Sequence, residues 1–367
     1  MGLGIAFFIL AAFVVLNCMY YLNLSKVISY KQQIVPVETT PVSIIVCSKN
    51  EEENLKELVP LLLEQDYHTF ELILINDASV DGTRDVIETF TALDNRVKMV
   101  DVAHNESFWG NKKYALTLGI KKATYPKHVF IDADCKPASK HWLGLMASKL
   151  TGEKSIVLGY GAYAAQKGSF INALIRYETL LTAFQYMGYA IKGYPYMGVG
   201  RNLGYTNEQF YAVNGFIKHM KILGGDDDLF INEAATARNT AVQLDPESFT
   251  ISKPKTSWSE WIKQKQRHVN TATYYKPRQK IVLALFYISQ SGFILAAIAG
   301  CIFAPHWEFI LALILVRYTV VWSVMGRAAN RFRESELIPY LPVLEFSIIW
   351  TQCYLFFNSG RKTKSWK

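Results

Sequence analysis

Between residues 40 and 280 the sequence predicts an α/β protein with a doubly wound, mostly parallel sheet, flanked by membrane-spanning helices. Three observations predict it. Apolar strand-like runs alternate with runs of helical period through this middle region. Polar and acidic residues cluster where each strand-like run ends. Long apolar segments with few or no charges stand at both ends of the chain.

The first segment, GLGIAFFILAAFVVLNCMYYL (2–22), is uncharged over 21 residues, long enough to cross a bilayer as a helix. It has no basic n-region and no small-residue cleavage site, so it reads as a retained anchor over 1–25 rather than a removed signal peptide. VSIIVCS (42–48) is a continuous apolar strand. NEEENLKELVPLLLEQ (50–65) is a helix whose first-turn acids suit the helix dipole. FELILIND (70–77), DGTRDVIETFTAL (81–93), RVKMVDV (96–102), NKKYALTLGIKKA (111–123) and HVFIDAD (128–134) continue as strand, helix, strand, helix and strand. Such alternation builds parallel strands with right-handed crossovers, and ligands then bind at the carboxyl ends of the strands. The sheet domain is expected over 40–250. WSEWIKQKQRHVNTATYYKP (258–277), within a segment 251–280, reads as an amphipathic helix lying at the membrane interface.

Three apolar segments follow, within 281–360. IVLALFYISQSGFILAAIAGCIF (281–303) is uncharged, FILALILVRYTVVWSVM (309–325) is interrupted by Arg317, and LIPYLPVLEFSIIWTQCYLFF (337–357) by Pro339, Pro342 and Glu345. Arg327, Arg331 and Arg333 in the connector 326–336, with Lys26 and Lys31 after the first segment, put these links on the cytoplasmic side, and the large middle region with them. The expected location is therefore the cell inner membrane with a cytoplasmic sheet domain. If all four segments cross, the basic tail SGRKTKSWK falls on the opposite side, against that charge rule; the last segment either crosses or is re-entrant. Arg317 and Glu345 lie at similar depth counted from the connector. An unpaired charge at mid-bilayer costs about 2.5–3.5 kcal/mol, so an ion pair or a shared polar cavity is expected.

Half of the 367 residues are hydrophobic, and 21 Phe with 21 Tyr suit aromatic belts at a membrane interface. The net charge of +8 favours phosphate-bearing ligands and a membrane surface; no nucleic-acid-binding module is present. The five cysteines are odd in number and form no CxxC, which argues against a disulfide framework and structural zinc and for a reducing compartment.

The chemistry concentrates at strand ends. VFIDADCKPAS (129–139) places Asp132 and Asp134 one residue apart. Two like charges repel unless a cation offsets them, and carboxylate oxygens suit Mg²⁺ or Mn²⁺. The plainer alternative is a polar turn closing a strand. The first strand ends in Ser48, Lys49, Asn50 and Glu51. NDASVDGT (76–83), with Asp77, offers carboxylates and hydroxyls to a ribose and a base edge, or simply a turn capping the next helix. NESFWGNKK (105–113) brings Lys112 and Lys113, either toward a diphosphate or onto a solvated helix face.

Together these residues resemble the membrane-bound family-2 inverting glycosyltransferases of the GT-A fold, over roughly residues 40–270. PYMGVGRNLGYTNEQF (195–210) is similar to that family's glycine-rich acceptor-side segment, GGDDDLF (224–230) to its acidic motif with the catalytic base, and QKQRH (264–268) to its Q-x-x-R-W motif. Two departures stand out. His268 replaces the family's Trp, which weakens the case for a processive polymerase, and Gly225 stands where many members carry Glu. The register leaves Asp226 as the base, with Asp227 the adjacent alternative.

The resemblance implies transfer of a sugar, with inversion, from a nucleotide-diphosphate donor, a UDP-sugar in the first instance, to a hydroxyl of a lipid or lipid-linked acceptor. It implies a Mg²⁺ or Mn²⁺ held by Asp134 with Asp132, and a diphosphate met by Lys112, Gln264 and Arg267. Asp77 and Glu51 would face the ribose and base. A processive polysaccharide synthase and a non-catalytic membrane scaffold are the alternatives.

Overall fold

The computed structural model describes residues 5–31, 39–103, 112–304 and 306–357. The basic tail and the stretch 105–111, each part of an expectation above, lie outside the described residues. Ten strands occur among those described: β1 (Val42–Ser48), β2 (Phe70–Asp77), β3 (Val97–Val102), β4 (Lys127–Phe130), β5 (Cys135–Pro137), β6 (Ile156–Leu158), β7 (Gly161–Tyr163), β8 (Leu203–Thr206), β9 (Thr240–Val242) and β10 (Thr250–Ser252). Seven form a sheet in the order β3-β2-β1-β4-β8-β6-β9. Neighbours pair in parallel except β8, which runs antiparallel to both β4 and β6. β5, β10 and β7 form a small second sheet beside it.

The sequence accounts for this core directly. β1 and β2 are buried at every position, as continuous apolar runs must be when helices cover both faces. The helix Glu52–Leu63 turns Leu55, Leu58, Val59 and Leu62 inward at helical spacing and carries Glu52 and Glu53 in its first turn. Thr83–Leu93 and Lys112–Lys122 make the next two crossovers. The fourth strand is shorter than its apolar run suggested. It ends at Phe130, and Ile131 to Asp134 form the link and turn into β5. Both acids of the DAD stretch therefore sit at the carboxyl edge, free of ladder hydrogen bonds.

Among the described residues three helices are long and apolar enough to cross a membrane: Ile5–Ser29, Pro277–Phe303 and Trp307–Arg331. They pack through Leu10, Val14, Phe293 and Ile310, and turn Phe8, Ile9, Leu285, Leu295 and Leu315 outward. The fourth apolar segment divides into a 3-10 turn, Ser335–Tyr340, and a helix of 17 residues, Leu341–Phe357. A helix not foreseen from the sequence, Phe170–Ile191, joins the two halves. Its buried Arg176 pairs with Glu334 beyond the third long helix (2.7 Å). Its Glu178 pairs with Lys265 of the helix Trp258–Ala272 (2.5 Å).

Candidate functional site

At the carboxyl edge of β1 and β4 a small recess is lined by Cys47, Lys112, Asp132, Gly200, Tyr205, Asp226 and Asp227. Lys112 opens its helix and reaches into it. Its Nζ donates to Asp132 Oδ1 at 2.6 Å and lies 3.1 Å from Asp226 Oδ2. Burial works against this charge, but Asp132 and Asp226 outweigh it and hold the ammonium pKa well above its usual value. Lys112 is thus the hinge between the two acidic motifs, which are far apart in sequence.

Lys113 does something else. It is buried and donates to the carbonyls of His219 (2.6 Å) and Ile222 (2.7 Å), tying down the loop before the second acidic motif. Burial lowers its pKa to about 8. Neither a phosphate contact nor a solvated helix face describes it.

The three acids of the second motif are not equivalent. Asp227 caps the helix Asp228–Ala234: Oδ1 accepts from the Asp228 amide and Oδ2 from the Gly200 amide, each at 2.7 Å. Burial, then the charges of Asp226 and Asp228, push its carboxyl up to about 7. Asp228 accepts from Thr271 (2.6 Å) and Tyr275 (2.8 Å), which hold the end of the helix Trp258–Ala272 against the motif. Asp226 is left as the acid that faces Asp132 and Lys112 in the recess. Gly225 precedes it at φ 81°, where an added Cβ would come within 2.5 Å of Leu229. That backbone conformation explains why glycine stands at this position.

Asp134 lies in the turn before β5 and is exposed at its surface. Partial desolvation raises its carboxyl, Asp132 adds to the rise, and Arg201, the Cys135 thiol and Lys112 oppose it. Among the described residues no three His, Cys, Asp or Glu side chains converge as a complete metal cage. Two carboxylates at a strand end nonetheless fit a hard divalent ion that takes its other oxygens from a bound diphosphate and water.

Glu51 and Asp77 stand at the neighbouring strand ends. The Glu51 amide donates to Thr83 Oγ1 (2.8 Å), and its carboxylate accepts from Asn54 (2.5 Å). Asp77 is buried at the end of β2. Around them Asn50, Ser79, Glu52, Asp81 and Gly82 bond across the two loops, so this part is held rigid. Gln264 donates to the Tyr163 hydroxyl (3.3 Å) at the end of β7, while Arg267 is half-buried and His268 exposed on the same helix. Arg201, which sequence reasoning passed over, stacks 4.2 Å from the Tyr163 ring beside the first acidic motif.

A mostly parallel sheet with two acidic turns bridged by a lysine at its carboxyl edge defines a nucleotide-sugar transferase type of scaffold. Residues 43–211 match the family described as Glycosyl transferase family 2, and the sheet is similar to that of GT-A-like structures. A mannosyltransferase from Pyrobaculum calidifontis, in complex with GDP-Man and Mn²⁺, has a similar fold, with a TM-score of 0.56 at 18% identity, covering 88% of this chain and 98% of that one. An uncharacterized glycosyltransferase of Haemophilus influenzae is 27% identical over 145 residues, 40% of this chain and 41% of that protein. A poly-beta-1,6-N-acetyl-D-glucosamine synthase of Staphylococcus epidermidis is 33% identical over 93 residues, 25% of this chain and 21% of the synthase. A probable glycosyltransferase of Bacillus subtilis, YdaM, matches over 273 residues at 23% identity, 70% of this chain and 63% of that protein. The chain thus spans less than two thirds of these curated relatives.

Proposed function

We propose that this glycosyltransferase moves a sugar from a nucleotide-diphosphate donor to a hydroxyl of a lipid or lipid-linked acceptor, with inversion, at the cytoplasmic face of the inner membrane. The observation that carries the reading is the Asp132–Lys112–Asp226 bridge. It sets a donor-side carboxylate and a candidate base on either side of one cation, in a domain packed directly against apolar helices.

Asp77 and Glu51 meet the ribose and base of the donor, a UDP-sugar in this reading, in the rigid loops at β1 and β2. Asp134, with Asp132, would hold Mg²⁺ or Mn²⁺. The ion supplies positive charge against the negative charge that grows on the leaving diphosphate. The mannosyltransferase of similar fold, described with GDP-Man and Mn²⁺, supports an ion of this kind. Lys112 adds a second positive charge. Gln264 and Arg267, on the helix that Thr271 and Tyr275 hold to Asp228, close over the diphosphate. Asp226 takes the proton of the acceptor hydroxyl, and Asp227 holds it in place through its bonds to Gly200 and the helix start.

Mass spectrometry of lipid extracts after incubation with several UDP- and GDP-sugars tests the reading; a single added sugar on a lipid supports it. A long polymer would favour the processive alternative, for which the match to the poly-N-acetylglucosamine synthase speaks. No product from any donor, with intact nucleotide binding, would favour the scaffold. For the metal, Asp134→Asn is expected to abolish transfer and weaken Mn²⁺-dependent UDP binding; full activity of that variant in EDTA would remove the metal role.

A further inference from the structure

The segment Val199–Asn202 is anchored more firmly than any role so far requires. Asn202, fully buried, accepts from Trp142 Nε1 (3.0 Å) and donates to the carbonyls of Tyr160 (2.9 Å) and Ser248 (2.8 Å). The Arg201 carbonyl accepts from Thr250 Oγ1 (2.9 Å), and the Gly200 amide is spent on Asp227. Arg201 is therefore fixed at its backbone on both sides.

Its side chain is fixed as well. Nη1 donates to the Ala162 carbonyl (3.2 Å) and to Ser252 Oγ (3.0 Å), and the guanidinium lies over the Tyr163 ring. Gly161 makes the space: a Cβ there would stand 3.2 Å from Arg201 Nε and 3.3 Å from Cζ. Ser252 Oγ is 2.9 Å from Cys135 Sγ, and that thiol donates to Asp134 (3.5 Å). Only two side chains separate the guanidinium from the second acid of the first motif. Tyr163 also accepts from Gln264, so the same shelf touches the interfacial helix.

Yet Arg201 makes no ion pair with any carboxylate among the described residues. The hydrogen bonds found use Nη1 alone. Lys112, by contrast, is committed to two carboxylates. Arg201 is half-buried with donors to spare, and a guanidinium fork suits phosphate oxygens. We infer that Arg201 is a further donor-contacting residue: a preset cation on the Asp134 side of the site that binds the diphosphate of the sugar nucleotide, as Lys112 stands on the Asp132 side. The inference rests on the sugar-nucleotide reading above.

The test is calorimetric titration of the full chain in detergent with UDP, GDP, uridine and guanosine, in EDTA and in Mn²⁺. Arg201→Gln is expected to weaken the preferred nucleoside diphosphate about 10–100-fold under both conditions, the scale of a lost charge-assisted hydrogen bond, with the nucleoside unaffected. Arg201→Lys should lose less. Gly161→Ala, which keeps every polar group but crowds the guanidinium, should lose part of the same affinity. Wild-type diphosphate affinity in Arg201→Gln, or in both other variants should that one not fold, overturns the role of Arg201 and leaves the transferase reading standing. Equal losses for nucleoside and diphosphate also overturn it, as a structural effect. Failure of the unaltered protein to bind either diphosphate would overturn both.

Discussion

Arg317 and Glu345 form a two-pronged ion pair inside the apolar helices. Nη1 donates to Oε2 at 2.6 Å and Nη2 to Oε1. Asn17 and Gln290 accept further bonds from the guanidinium (3.0 and 2.5 Å), Phe293 lies beneath it, and Tyr21 donates to the carboxylate (3.3 Å). Four helices thus meet at one charge pair. Removing one partner of such a pair leaves the other buried and unmatched, at a cost of about 3–5 kcal/mol. Arg317→Glu alone should impair expression and detergent stability, and adding Glu345→Arg should restore much of both. A double variant no better than the singles would show that the pairing contributes nothing.

Asp226 is predicted to act on the acceptor, not on the nucleotide. Asp226→Asn should lower kcat by roughly 10²–10⁴-fold while UDP affinity stays near wild type. Asp227→Asn should instead lower the melting temperature, because it disturbs the bonds to Gly200 and to the start of the helix Asp228–Ala234. If the two variants exchange these behaviours, the base is Asp227.

How much of this was legible in the sequence depended on range. β1 and β2 match the expected strands end to end, because a doubly covered parallel strand is an unbroken apolar run. The Arg317–Glu345 pair was legible because a lone charge in an apolar segment demands a partner. The separate fates of Lys112 and Lys113 were not. Adjacent lysines point in different directions on a helix, and which one meets the carboxylates depends on loops a hundred residues away. Phe170–Ile191 lacks a clear polar face because it is covered by the sheet domain on one side and the apolar helices on the other, so no amphipathic stripe betrays it. Arg201 was hidden in a motif read only for its glycines; its place on the Tyr163 ring comes from two segments that belong to different sheets and meet only in the folded chain.

Gly225→Ala should separate shape from charge in the acidic motif. Alanine at φ 81° is strained, roughly 1–2 kcal/mol, and its Cβ would collide with Leu229. The expected result is a tenfold or larger loss of kcat, on the scale of that strain shifting Asp226, with little change in nucleotide binding. Wild-type turnover would mean that the turn adapts without moving Asp226.

Glu334 predicts a pH response. It is buried where the end of the third long helix meets the sheet domain, accepting from Arg176 (2.7 Å) and from the Tyr160 hydroxyl (3.2 Å). Burial pushes its carboxyl from 4.5 up to about 7, against the pull of Arg176 and Tyr160. Because the folded pKa lies above the unfolded one, the folded state binds more protons between these values. Stability therefore falls as pH rises from about 4.5 through about 7, and the loss is complete above that. The shift sets a ceiling of roughly 3 kcal/mol on this term. Glu334→Gln removes the titration but keeps a polar partner for Tyr160 and Arg176. Thermal unfolding in detergent from pH 5 to pH 8 should show a steeper decline for the unaltered protein than for Glu334→Gln. Parallel curves would mean that Arg176 keeps the carboxylate ionised throughout, and that this junction is a permanent ion pair.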